Sequence, residues 1–389
     1  MRAHILALAT IGSAALSAPA FAADLPVAPE PADYVRICDV YGNRFYYIPG
    51  TDTCLRVGGR VRADFRFKNF GDAPNDWSER DDDGVEFRAR GYLYLDSRTQ
   101  TEFGILRSYT SMYMTDTSGS ESFTLEYGYI QWGGLTFGYT DSYFDFWTGF
   151  ALEMQLETYT DLTSTLFAYT AAFGDGFSAT VSVEDATFRE TNLIAPGTVD
   201  DGYAGQNWPD IVANLRVDRD WGAAQVMGAL HNVRFQNPSA SGQVGWAVGG
   251  GVELELDRLL TGTNLAIQGV YTDGASGYGT TGWDDQITDA VYTGSSTNTT
   301  KTWNIYGGVR QGITETVEFN LDAGYHNVDG DTRAYDFTQW DVTPNVLWEP
   351  ASGFLIGGEV QYRDLDFSQA SGQVDRNEIF ATIRFQRTF

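Results

Sequence analysis

The sequence predicts an all-β fold, a 16-stranded antiparallel transmembrane β-barrel, and three observations lead there. Apolar and polar residues alternate along many short stretches, the connections between those stretches are alternately short and long, and no apolar run of about 18 residues follows the N-terminal segment. A membrane-embedded chain without such a run must close into a barrel, because only helices and barrels satisfy every backbone polar group in lipid. Composition agrees: 43 Gly, 22 Tyr, 24 Phe and 10 Trp at 42% hydrophobic content suit many strands joined by turns. The formal net charge of −27, from 52 acids against 25 bases, argues against nucleic acid as a partner.

Residues 1–22 read as a secretory signal, with Arg2, an apolar run from Ile5 to Leu16, and Ala20-Phe21-Ala22 as a small-x-small cleavage site. Residues 23–54 then form an N-terminal lead-in, rich in proline and acid at its start and expected to be exposed on the periplasmic side. Its cysteines, Cys38 and Cys54, lie close together in an exported chain and predict a disulfide. No histidine or second cysteine pair stands near them to suggest a metal.

The barrel takes residues 55–389, beginning with Leu55 to Phe67. Leu55, Val57, Val61, Ala63, Phe65 and Phe67 make an apolar face interrupted only by Gly59, and Arg56, Arg60, Arg62, Asp64 and Arg66 make the opposite one. Short connections are expected near Asp96 to Gln100, Gly133-Gly134, Gly174 to Gly176, Asp220 to Gly222, Arg258 to Gly262, Gly312 to Thr314 and Pro350 to Gly353. Long polar ones are expected at 68–84, 115–121, 141–162, 186–208, 235–243, 273–301, 328–334 and 365–376. These connections join sixteen strands, with the short turns on the periplasmic side and the long loops outside. Phe177, Ala179, Val181 and Val183 oppose Ser178, Thr180, Ser182 and Glu184, and Val317, Phe319, Leu321 and Ala323 oppose Glu318, Asn320 and Asp322. Phe173, Phe177, Trp221, Trp348, Phe354 and Phe389 gather by the short turns as an interfacial girdle. The chain ends on a strand, Ile379 to Phe389.

The segment VRICDVYGNRFYYIPGTDTCLRVGGRVRADF, Val35 to Phe65, resembles the N-terminal signature of the alphaproteobacterial general porins of the rhizobial and Brucella type. The closing IRFQRTF, Ile383 to Phe389, together with Gly174 to Asp185 and Asp141 to Phe150, resembles further segments of that family. The resemblance implies a homotrimeric channel of the Gram-negative outer membrane, set in lipid and lipopolysaccharide, whose third loop folds into the lumen. It implies passage of ions and small hydrophilic solutes, with no cofactor, no metal and no catalysis.

Candidate pore residues follow from strand position. Acids of the third loop, Asp141, Asp145, Glu153, Glu157 and Asp161, would face a basic wall of Arg56, Arg60, Arg62, Arg66, Arg88, Arg90, Arg107 and Arg384. The blander arrangement has those arginines pairing with Asp64, Glu86 and Asp96 within the wall, and the two are compatible. The acid excess predicts a weak cation preference moderated by the arginines. Tyr92, Tyr94 and Tyr306 share the lumen phase and would serve an alternative, oligosaccharide-selective channel. An enzyme would need His231 or His326, neither of which lies in a catalytic motif, and a closed structural barrel would show no conductance. Gly277 to Gly282 formally matches a dinucleotide motif but no helix follows, and Asp81-Asp82-Asp83 lacks calcium-loop spacing.

Overall fold

Each alternating stretch becomes one strand of a single closed sheet. A computed structural model describes residues 36–72, 76–80, 83–152, 160–197, 201–257, 260–279, 287–330 and 336–389. The signal segment, most of the proline-rich lead-in, Asp81, Asp82, Glu153 and Glu157 lie outside the described residues. The barrel strands are β1 Cys54–Phe67, β2 Val85–Thr101, β3 Gly104–Thr117, β4 Ser120–Trp132, β5 Leu135–Asp141, β6 Thr163–Gly174, β7 Phe177–Glu184 and β8 Asp210–Arg219. They continue with β9 Gly222–Val233, β10 Gln243–Glu255, β11 Thr263–Asp273, β12 Lys301–Gly312, β13 Val317–Asp329, β14 Phe337–Ala351, β15 Phe354–Phe367 and β16 Arg376–Thr388. Each pairs antiparallel with the next, and β16 closes on β1 with Arg60 opposite Thr388 and Phe67 opposite Ala381.

The two faces separate as the alternation requires. On β1, Val57 and Val61 are exposed on the outer wall while Arg62 and Asp64 are buried on the lumen side. Phe167, Tyr169, Phe173, Phe177 and Val181 continue the exposed apolar surface around the barrel. A second girdle, on the outer-loop side, consists of the pairs Trp246–Tyr271, Trp303–Tyr325 and Trp340–Tyr362, with ring centroids 5.5, 5.1 and 4.9 Å apart. Gly59, the gap in the apolar face of β1, is where the chain end docks. A Cβ there would lie 2.8 Å from the Phe389 ring, and Gly59 and Phe389 exchange two backbone hydrogen bonds of 3.2 and 3.0 Å.

Several expectations are corrected. The first short turn is Glu102-Phe103, because Ser97 and Thr99 keep the pairing with Ser108 and Leu106 and carry β2 to Thr101. The connection expected at 115–121 is a two-residue hairpin, Ser118-Gly119, with φ of 49° and 88°. Glycine reaches that conformation freely, so no longer loop is needed. The fourth and sixth loops are partly ordered into a small sheet of Asn192–Ile194, Thr288–Tyr292 and Thr297–Thr299. The lead-in is folded from Arg36 onward: Cys38 and Cys54 are disulfide-bonded, Tyr46–Tyr47 pairs with the start of β1, and Phe45 is buried.

Candidate functional site

The lumen face of β1 to β4 carries an arginine–tyrosine wall. Its arginines converge on few carboxylates because successive strands bring like-charged even positions to the same face. Asp64 receives Arg62 at 3.2 Å, Arg88 at 2.6 Å and, across the barrel seam, Arg384 at 2.6 Å. Nearer the short turns, Asp96 receives Arg56, Arg98 and Arg107 at 3.2, 2.8 and 3.0 Å. Glu86 takes Arg66 and Lys68. Three guanidinium groups share one carboxylate in each of the first two clusters among the described residues, an arrangement that hydration and aromatic faces sustain. Phe45 of the disulfide-closed segment supplies one such face, 5.0 Å from both Arg56 and Arg98. Arg60 lies 3.9 Å above the Tyr92 ring, Arg90 4.2 Å from Tyr113, and Arg107 packs on Tyr109 and Tyr129.

The described parts of loop 3, residues 142–152 and 160–162, lie along the opposite wall. Its backbone N–H groups at Tyr143, Trp147 and Phe150 donate to Glu184, Gln268 and Asp322 at 3.1, 3.1 and 2.7 Å. Its carbonyls at Tyr143, Asp145, Trp147 and Phe150 accept from Asn214, Gln225, Tyr306 and Asn345 at 2.7 to 3.0 Å. Leu152 donates to Glu359 and accepts from Arg384. The polar lumen phase of β7 to β16 thus satisfies a loop backbone that would otherwise be buried without partners. Glycines on the same face make room for the loop's side chains: a Cβ on Gly251 would meet Phe146 at 2.6 Å, on Gly308 Trp147 at 2.8 Å, and on Gly357 Leu152 at 2.6 Å.

Most of the expected basic residues are together on the wall, whereas the acids divide. Asp145 does not face the lumen. It is buried against Arg189 of loop 4 at 3.0 Å and accepts the Leu162 N–H at 2.9 Å. Burial pushes its carboxyl well above the usual carboxylate range, with the Arg189 guanidinium pulling the other way. Asp141 is exposed at the end of β5 beside Tyr127, with Glu126 and Asp161 near the same ring. Glu126 lies 3.7 Å from Arg60. Glu153 and Glu157 are outside the described residues. Arg62, Arg88 and Arg384 are buried, so the accessible part of the wall is the half-buried Arg56, Arg60, Arg66, Arg90 and Arg107. Tyr306, expected to be open to sugars, is fully covered by loop 3 through Trp147, stacked at 5.4 Å, and Thr160.

Sequence reasoning missed Arg98, Arg189 and the lumen tyrosines Tyr109, Tyr113, Tyr127 and Tyr129. The tyrosines were legible from strand phase; Arg189 was not, because it acts from a loop. Its guanidinium reaches Asp145, the Gly277 carbonyl at 2.9 Å and the Thr160 carbonyl at 3.1 Å, tying loops 3, 4 and 6 together. His231 is likewise structural. Buried on β9, it hydrogen-bonds Asp210 at 2.8 Å and Tyr203 at 3.1 Å, while Tyr203 donates to Asp289 and Tyr278 to Asp210. No helix among the described residues is long and apolar enough to cross a membrane.

Known proteins align with this chain along nearly its whole length. The profile of the porin subfamily matches residues 24–384. Porin Omp2b of Brucella suis biovar 1 (strain 1330) is 29% identical over 411 aligned positions, covering 97% of this chain and 98% of the relative. Omp2b of Brucella neotomae is 30% identical at the same coverage. Among solved structures, the outer membrane channel DcaP of Acinetobacter baumannii superposes with a TM-score of 0.68 at 17% identity, covering 88% of this chain and 99% of that one. An anion-selective porin from Comamonas acidovorans superposes with a TM-score of 0.57 at 11% identity over 87% of this chain and all of the other. A trimer form of Vibrio cholerae OmpT gives 0.52 at 10% identity over the same shares. With its closed barrel of 16 strands, the chain therefore belongs to the porin subfamily, as an alphaproteobacterial general porin, a channel and not an enzyme, of the Gram-negative outer membrane.

Proposed function

We propose that this porin is a passive diffusion channel for ions and small hydrophilic solutes, constricted between loop 3 and the arginine–tyrosine wall of β1 to β4. The observation that carries the reading is the loop's chain of backbone hydrogen bonds to the lumen side chains of β7 to β16, which reserves the facing wall for solute. Asp141 and Asp161, beside Glu126, supply the acidic side next to Arg60. The acid excess of the whole chain sets a weak cation preference that the arginines moderate. Export through the signal segment 1–22, a periplasmic position for residues 23–54, a lipid and lipopolysaccharide setting, and a homotrimer like the OmpT trimer form belong to the same proposal.

Swelling of proteoliposomes in neutral sugars tests it. The rate should fall steadily with sugar size and rise in proportion to concentration. Saturation at low concentration would contradict free diffusion and favour the oligosaccharide-selective channel.

A further inference from the structure

We infer that Arg90, with Arg60 and the tyrosines beside them, forms a subsite on the channel wall for small carboxylates that carry a planar ring. The inference deepens the proposed channel function and rests on its claim that this wall lines the solute path.

The starting point is a charge conflict. Arg62 and Arg90 stand directly opposite each other across the β1–β2 pairing, an arrangement that costs free energy between like charges. Arg62 is relieved by Asp64 at 3.2 Å. Arg90 has no such relief: alone among the arginines named for this wall, it pairs with no carboxylate among the described residues. Its Nε donates to Thr115 Oγ1 at 2.8 Å and its Nη1 to the Tyr92 hydroxyl at 3.1 Å, both neutral partners. Arginine cannot shed its proton at any ordinary pH, so the charge is permanent and must be met by water or by a passing anion.

Its surroundings define what kind of anion. The guanidinium packs against Tyr113 at 4.2 Å, while Arg60 lies 3.9 Å above Tyr92, the same tyrosine whose hydroxyl Arg90 holds. Tyr92 in turn is 5.0 Å from Tyr113 and 6.0 Å from Tyr94. Arg60, Arg90, Tyr94 and Tyr113 are each only half-buried. Arg90 Nη2 makes no hydrogen bond among the described residues, so a planar cation, pinned on one edge, keeps donors for a carboxylate. Aromatic faces around it suit a ring attached to that carboxylate, since tyrosine and guanidinium planes both stack on planar groups.

The test records single-channel current in planar bilayers with benzoate, cyclohexanecarboxylate, acetate or benzyl alcohol added. Benzoate should interrupt the current at concentrations about tenfold below the other three, the scale of one aromatic contact relative to acetate and cyclohexanecarboxylate and of one charge-assisted contact relative to benzyl alcohol. Arg90→Gln should weaken that block about tenfold, and Arg90→Lys, which keeps the charge but not the flat fork, should weaken it as well. Tyr113→Leu should weaken benzoate but leave acetate unchanged. Equal block by benzoate and acetate, or block indifferent to Arg90→Gln, would overturn the subsite. Reversal potentials in KCl separate the two claims. If Arg90→Gln moves selectivity toward cations while benzoate has no effect, the subsite fails and the channel reading stands. If neither responds, Arg90 is not on the solute path and both fail.

Discussion

Asp145 illustrates how residue chemistry depends on where a loop turns. In the sequence it is one of five acids in a loop that the family resemblance folds inward, and nothing in its neighbours distinguishes it from Asp141. In the fold it is sealed against Arg189 while Asp141 is exposed. Breaking a buried ion pair leaves an uncompensated charge, at a cost of about 3 kcal/mol. Asp145→Asn should therefore lower the unfolding stability in detergent by about that amount and add current noise as loop 3 loosens, without moving ion selectivity. A clean shift in reversal potential with unchanged stability would contradict the assignment. The arginines were legible for the opposite reason. They sit on strands, where period-two alternation fixes the face, so Arg60, Arg62, Arg88 and Arg90 could be placed together from sequence alone.

At the scale of elements, strands were legible and loops were not. Alternation and turn residues located all sixteen strands, although the Ser118-Gly119 hairpin and the Glu102-Phe103 turn show that strand ends depend on pairing with a neighbour. The seat of loop 3 could not be read, because among the described residues it is built from side chains on nine strands meeting the backbone of one loop. Its glycines make that seat testable. Gly308→Val would collide with Asp322, which holds the Phe150 N–H, and with Trp147, pushing loop 3 off the wall and into the open half of the lumen, so single-channel conductance should fall. Gly358→Val is the control, since a Cβ there meets nothing within 4 Å, and its conductance should match wild type. Equal conductance in both variants would mean that loop 3 does not depend on the notch.

At the scale of the whole molecule, closure comes from the two ends. Phe389 docks on Gly59, and the disulfide holds Phe45 against Arg56 and Arg98 beside the seam. Replacing both Cys38 and Cys54 by Ser should cost about 3 kcal/mol of stability on the chain-entropy account, measured by denaturant unfolding in detergent micelles. Undiminished stability would show that packing of Phe45 alone suffices. The central claim, that solute passes between loop 3 and the arginine–tyrosine wall, is tested most directly by reversal potentials in a salt gradient for wild type, Arg60→Gln and Asp141→Asn. These two residues are chosen because both are accessible, whereas Arg62 and Asp145 are buried. Arg60→Gln should move selectivity toward cations and Asp141→Asn toward anions; unchanged potentials in both would contradict the account.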